Sequence, residues 1–308
     1  DSITVILFLA VASVQLARLL KFDPVPLIIA EIFTANLGGA ATMSGDPPNI
    51  IIGTALGLTF GDFLQNTGLI VLVSMVVIVP FFYFAFRKQV ATQDEAARQK
   101  AMEMDPKASI HSGRKFALNV GVFLLTVVLL ITHAKTGLTV AMVGVIAAVL
   151  TLLVNKDPIL LLKRVDWQTV LFFIVSGLEQ TGVLEAMAQG IAHITGGSLT
   201  LMVIIILWLS GIASAFVDNI PFAATMVPVI TSLSATMGVD LNALAWTLSM
   251  GTDIGGSGTP IGASANVAGT AIAAREGYAI GWGRYCKYSA PAAVIVLAIS
   301  MVMLLLRY

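Results

Sequence analysis

Apolar residues fill this chain in long blocks separated by short polar stretches, and the block lengths predict its helices. Roughly 20 consecutive apolar residues cross the hydrocarbon core of a bilayer. Blocks close to that length run over 3–20, 68–86, 116–133, 138–155, 166–190 and 286–306. Three more, 24–58, 199–236 and 241–274, are too long for one straight helix. Blocks 24–58 and 241–274 each contain a Gly-, Thr- and Asn-rich interruption, which predicts a half-helix, an unwound stretch and a second half-helix. Block 199–236 carries Asp218-Asn219-Ile220-Pro221 at its centre and predicts a re-entrant helical hairpin. Irregular backbone at membrane depth needs protein or a polar cavity around it.

The two interruptions are related. Residues 36–49 (NLGGAATMSGDPPN) align without a gap on residues 253–266 (DIGGSGTPIGASAN), at an offset of 217. Gly38 falls on Gly255, Gly39 on Gly256, Thr42 on Thr259, Gly45 on Gly262 and Asn49 on Asn266. The same offset sets Asp1-Ser2-Ile3-Thr4 over Asp218-Asn219-Ile220-Pro221. This predicts two copies of one unit. Residues 1–86 read as a first repeat truncated at its N-terminus: one hairpin arm, the broken helix and one span. Residues 87–115 read as a linker. Residues 116–308 read as a second repeat of scaffold spans, hairpin 199–236, broken helix 241–274 and a final span. The spans of 116–217 have no counterpart ahead of the first copy, and the stretch 173–178 is short for a span.

Composition agrees with an all-α polytopic membrane protein: 57% hydrophobic residues, 11% charged, mean hydropathy +0.94. Zero net charge suggests no nucleic-acid partner. The lone Cys286 excludes an intramolecular disulfide and a cysteine metal cluster, and no cofactor is suggested. Basic residues collect on the cytoplasmic side of membrane proteins. With 87–115 cytoplasmic, alternating spans place fifteen of the seventeen Lys and Arg residues on that side, leaving Lys135 and Arg307 outside. The two copies then enter the membrane in opposite senses. Inverted repeats with broken helices at the midplane are the architecture of secondary transporters, which points to the plasma membrane and away from an enzyme.

Polar chemistry is confined to the breaks. The candidates are Asp1, Ser2 and Thr4; Asn36, Thr42, Asp46 and Asn49; Asp218 and Asn219; and Asp253, Thr259, Ser264 and Asn266. An unwound stretch frees carbonyls and amides, and the half-helix after it aims a positive dipole end at the gap. Pro47 and Pro48 suit the start of such a half-helix, with Asp46, or Ser264 in the second copy, as its cap. The asparagines and threonines offer neutral donors and acceptors to an ion or small polyol. Asp1, Asp46, Asp218 and Asp253 are acids at or near membrane depth, costly unless paired or protonated, and so candidates for a proton or cation; Asp218 stands out. Gly38, Gly39, Gly45, Gly255, Gly256 and Gly262 mark the backbone breaks, or positions where helices approach closely. The tryptophans, Trp246 among them, suit an aromatic belt.

GGAATMSGDPPN, DNIPFAATMVPV and GGSGTPIGASANV together resemble the ArsB/NhaD group of the ion transporter superfamily, nearest the branch of permeases similar to the melanosomal P protein. Dicarboxylate symporters are more distantly similar. The resemblance implies a homodimeric elevator-type transporter, in which a mobile domain of two hairpins and two broken helices slides against a scaffold. Family tips commonly read Asp-Asn, and Ser2 departs from that in the first tip.

The expected function is secondary active transport of a small inorganic ion. Proton-coupled arsenite or antimonite efflux comes first, since neutral arsenite suits amide and hydroxyl partners. Sodium–proton antiport is the alternative, with proton or sodium as coupling ion. Anion or dicarboxylate transport follows, because neither motif holds a basic residue. An ion channel shares the same elements. An intramembrane aspartyl protease lacks its Gly-x-Gly-Asp motif here.

Overall fold

In the computed structural model, residues 2–90, 99, 112–138, 140–155 and 183–308 are described, and Asp1 and the stretch 173–178 fall outside them. Among the described residues there are twelve α-helices of seven residues or more and no strand. They are α1 (Ser2–Leu20), α2 (Val25–Gly39), α3 (Pro47–Leu56), α4 (Phe60–Val90), α5 (Gly113–Thr136) and α6 (Val140–Asn155), then α7 (Val183–Thr195), α8 (Leu199–Phe216), α9 (Asn219–Met237), α10 (Leu241–Gly256), α11 (Ser264–Arg275) and α12 (Trp282–Arg307). Six of them, α1, α4, α5, α8, α9 and α12, are long and apolar enough to cross a membrane.

The predicted breaks are where the helices stop. At 1.5 Å per residue, α2 and α3 measure about 22 and 15 Å, each short of the roughly 30 Å hydrocarbon core. Block 24–58 is therefore two helices in series, α2 and α3, and block 241–274 is likewise α10 and α11. Block 199–236 turns at Val217–Asp218 into the helical hairpin α8–α9.

Burial is inverted relative to a water-soluble protein. Phe8, Leu72, Val76 and Leu153 are exposed, whereas Asn36, Asp46, Asn49, Asp253 and Asn266 are buried. Apolar surface of this extent meets lipid, and the polar groups are held inside the bundle. Trp246 departs from the belt expectation: it is buried and packs edge-on against Phe63, because α10 lies in the middle of the bundle.

Small residues set the tightest packing. α8 and α10 touch along their length. A Cβ on Gly255 would stand 2.2 Å from the Gly211 carbonyl oxygen, and one on Gly251 would stand 2.7 Å from Ser210 Cβ. Close backbone approach is the reason for glycine here. The repeat partner Gly38 behaves differently, since a Cβ there would meet nothing within 4 Å.

Polar contacts tie helix ends together at two poles. At one, Arg18 reaches Glu276 at 2.9 Å, Arg284 pairs with Asp23, and Gln89 meets Tyr288. At the other, Arg307 donates to the Gln65 carbonyl and Tyr308 to Asn66. The first pole gathers residues expected on the cytoplasmic side, and Arg307, expected outside, lies at the second.

Candidate functional site

A helix ending inside a protein leaves carbonyls unpaired, and the next helix begins with unpaired amides. The two breaks meet this demand in the same way. Asn49 donates to the carbonyls of Gly39 (3.4 Å), Ala40 (3.4 Å) and Thr42 (3.2 Å). Asn266 donates to those of Gly256 (2.8 Å) and Thr259 (2.7 Å). Gly39 and Gly256, and Thr42 and Thr259, are offset partners, so one asparagine staples each break shut. Both are fully buried. The sequence marked them as substrate donors; the structure commits their amides to backbone.

Backbone geometry matches as well. α2 ends at Ala40 (φ −61°, ψ −16°) and α10 at Ser257 (φ −70°, ψ −16°). α3 is preceded by extended Asp46 (φ −133°, ψ 149°) and α11 by extended Ala263 (φ −148°, ψ 149°). A Cβ on Gly45 would lie 2.1 Å from the Gly39 oxygen, and one on Gly262 would lie 2.4 Å from the Gly256 oxygen. These four glycines let the chain fold back on itself.

Other groups finish the second break. Ser214 donates to the Thr252 carbonyl (2.7 Å), Tyr285 to that of Ser257 (3.3 Å), and Thr259 to that of Ala215. Asn36 donates to Asn266 Oδ1 at 2.7 Å, joining the two breaks, and Ser249 donates to Asn49 Oδ1 at 2.6 Å.

Between the breaks lies a narrow cleft, lined by Ser2, Asn36, Asp46, Asn219, Ser264 and apolar neighbours such as Ile3 and Ile220. It draws on offset partners: Ser2 and Asn219, Ile3 and Ile220, Asp46 and Ala263, Pro47 and Ser264. Three helices, α3, α9 and α11, begin at it, and the first described residues of α1 line it. Each N-terminus carries a partial positive charge equivalent to about half an elementary charge. Among the described residues, no lysine, arginine or histidine lines the cleft.

From the cleft, α11 runs to the pole where Arg18 meets Glu276, whereas α3 leads into α4 at the pole where Gln65 meets Arg307. The partner half-helices leave the cleft in opposite directions.

The acids separate in position. Asp46 precedes α3 but makes no side-chain cap; it accepts from the Ser2 hydroxyl. Gly39 makes room for it, since a Cβ there would sit 2.5 Å from the Asp46 carboxyl carbon. Asp253 is fully buried behind the cleft, with Asp46 as its charged neighbour and Asn49 beside it. Neither of its carboxylate oxygens finds a hydrogen-bond partner among the described residues. Asp218 caps α9, accepting from the Ile220 amide at 3.0 Å, and it is Asn219 that lines the cleft. Ser264 begins α11 without a capping bond and faces the cleft. Thr4 is exposed on α1, and Thr42 contributes its carbonyl to the Asn49 staple. Two buried or half-buried groups lie outside the breaks that the sequence pattern marks. Glu31, an acid within the apolar run of α2, accepts from Ser13, and Ser249 sits one turn before Asp253.

Residues 1–251 match the model of the citrate transporter family, CitMHS. The chain belongs to that family. An uncharacterized transporter of Mycobacterium tuberculosis is 35% identical over 317 residues, covering 100% of this chain and 73% of that protein. A 46 kDa membrane protein of Mycobacterium leprae is 34% identical over 317 residues, again with 100% and 73% covered. The human P protein is 24% identical over 392 residues, and the chain spans 47% of its length. Family and relatives make the chain a multi-pass membrane transporter of the plasma membrane and not an enzyme.

Proposed function

We propose that the chain carries a small anion of the carboxylate class by secondary active transport, held in the cleft between the two breaks. One observation supports this above the others: three helix N-termini converge on a cleft that offers Ser2, Asn36, Asn219 and Ser264 and, among the described residues, no basic side chain. Dipole ends and neutral donors stabilise negative charge without fixing a permanent cation, so the anion can also leave. The description of the matched family as citrate transporters points the same way.

The matched breaks, their shared offset and the opposite exits of α3 and α11 support an inverted-repeat reading. In it, 1–86 and 116–308 form the two repeats and α8–α9 is a re-entrant hairpin; elevator movement and a homodimer belong to the same reading. A second function has its own support. The absence of basic groups at the cleft equally suits neutral arsenite or antimonite, whose hydroxyls match amide and hydroxyl partners, with proton or sodium as coupling ion.

Proteoliposomes given citrate, smaller dicarboxylates, arsenite, antimonite, sodium and lithium, with internal pH recorded, test the assignment. Carboxylate accumulation is expected, with Asn219→Ala and Ser264→Ala each raising KM about tenfold as uniform binding is lost. Transport of arsenite alone, or of none of the panel, would overturn the carboxylate reading.

A further inference from the structure

The two breaks are built alike except at one pair of side chains, where the donor present in one is missing from the other. In one, the Asn36 amide donates to Asn266 Oδ1 at 2.7 Å. In the other, the offset partner of Asn36 is Asp253, and it stands beside Asn49, the offset partner of Asn266. A carboxylate accepts and cannot donate. Among the described residues, neither Asp253 oxygen has a hydrogen-bond partner, and the side chain is fully buried. The Asn49 amide meanwhile holds the carbonyls of the first break, and its own oxygen, already accepting from Ser249, can take a second donor.

We infer that Asp253 holds a proton, and that this carboxylic acid donates to Asn49 as Asn36 donates to Asn266. The bond completes the staple of the first break. Loss of the proton leaves a buried charge against that staple and loosens residues 39–46, Asp46 with them. Binding and release of one proton at Asp253 thus set the state of the cleft's first half.

Among the described residues, the helices packed around Asp253 offer no other partner for that charge. Helices α3, α8 and α9 carry no titratable side chain. α12 brings Tyr285, donated to the Ser257 carbonyl, and α2 brings Glu31, bonded to Ser13. On α4, Asp62 is bonded to Thr59. Asp46, of the same sign, is the charged group that acts on Asp253, and it faces the cleft from which a proton would come.

The inference rests on the transport reading only for what the proton drives, so two measurements are needed. Infrared spectra of the protein in lipid should show the C=O band of a protonated, deuterium-sensitive carboxyl at neutral pH. That band should fall in Asp253→Asn and persist in Asp46→Asn. Asp253→Asn should fold, because asparagine already occupies the equivalent place at Asn36. Its substrate exchange should survive, while accumulation driven by an imposed proton gradient falls about tenfold, in the usual range for coupling between sites. A band unchanged in Asp253→Asn would overturn the inference. So would an unfolded Asp253→Asn beside a folded Asp253→Glu, which would show that the charge itself is required. A wild type that lacks the band and is stabilised by sodium over choline would replace the proton by a metal cation and overturn it too. Wild-type vesicles that transport nothing would count against the cleft reading alone, since the infrared result stands apart from it.

Discussion

The first break, residues 36–49, and the second, 253–266, share their staple, their paired glycines and their dihedral angles, yet each carries its acid in a different place. In the first the acid is Asp46, at the start of the outgoing half-helix, on the cleft wall and bonded to Ser2. In the second it is Asp253, near the end of the incoming half-helix, behind the cleft and, among the described residues, without a hydrogen-bond partner. Their offset partners are Ala263 and Asn36. The backbone solution is duplicated, and the charge is not. Stability demands the same answer from both breaks because both have the same orphan carbonyls, whereas chemistry can be placed in one copy at a time.

The neighbours of the two breaks differ as well, and this gives the largest expected effect. Gly255→Ala forces a Cβ to 2.2 Å from the Gly211 oxygen, which backbone cannot yield cheaply. A loss of about 3 kcal/mol is expected, at the upper end for overpacking. Gly38→Ala meets open space and should be neutral or slightly stabilising by helix propensity. Thermal unfolding of the two variants in detergent checks this; equal losses would mean that the glycines serve a common need.

The staples come next. Asn266→Ala strips partners from two buried carbonyls and from Asn36, and should cost about 2–3 kcal/mol. Asn49→Ala should cost less, about 1–2 kcal/mol, because two of its three contacts are 3.4 Å long. The reverse order in unfolding midpoints would break the parallel between the copies.

The smallest stability effect belongs to Asp46→Ala, which makes the first break resemble the second at Ala263. Removing a buried acid offsets the lost Ser2 bond, so a change within about 1 kcal/mol is expected. Transport should nonetheless fall sharply in proteoliposomes. Full flux in this variant would leave Asp46 a packing residue.

Much of this fold was legible because bilayer thickness limits the alternatives. An apolar block too long to cross once must break or turn, so 24–58, 199–236 and 241–274 could be divided before any coordinates were seen. The offset of 217 pairs Ser2 with Asn219 and Pro47 with Ser264, and these positions line one cleft together with Asp46. The allegiance of Asn49 and Asn266 was not legible: an asparagine in a motif reads alike whether it faces a ligand or a carbonyl seven residues away. Gly211 and Tyr285 act across more than twenty residues of chain, so no local pattern reveals them. Glu31 did carry a local signal, one acid in an apolar run, but the emphasis on breaks draws the eye past it. Asp218, the most conspicuous acid in the sequence, serves a nearer task as the cap of α9.

An unwound stretch in a membrane helix is easily pictured as a hinge. Here each is clamped from within by a single amide, its glycines packed face to face and its loose carbonyls already occupied. While its staple holds, such a stretch is a welded elbow. Bending it would break several buried bonds at once, so the parts joined by the elbows travel as one piece, and any motion that admits a solute must come from that piece shifting against its neighbours.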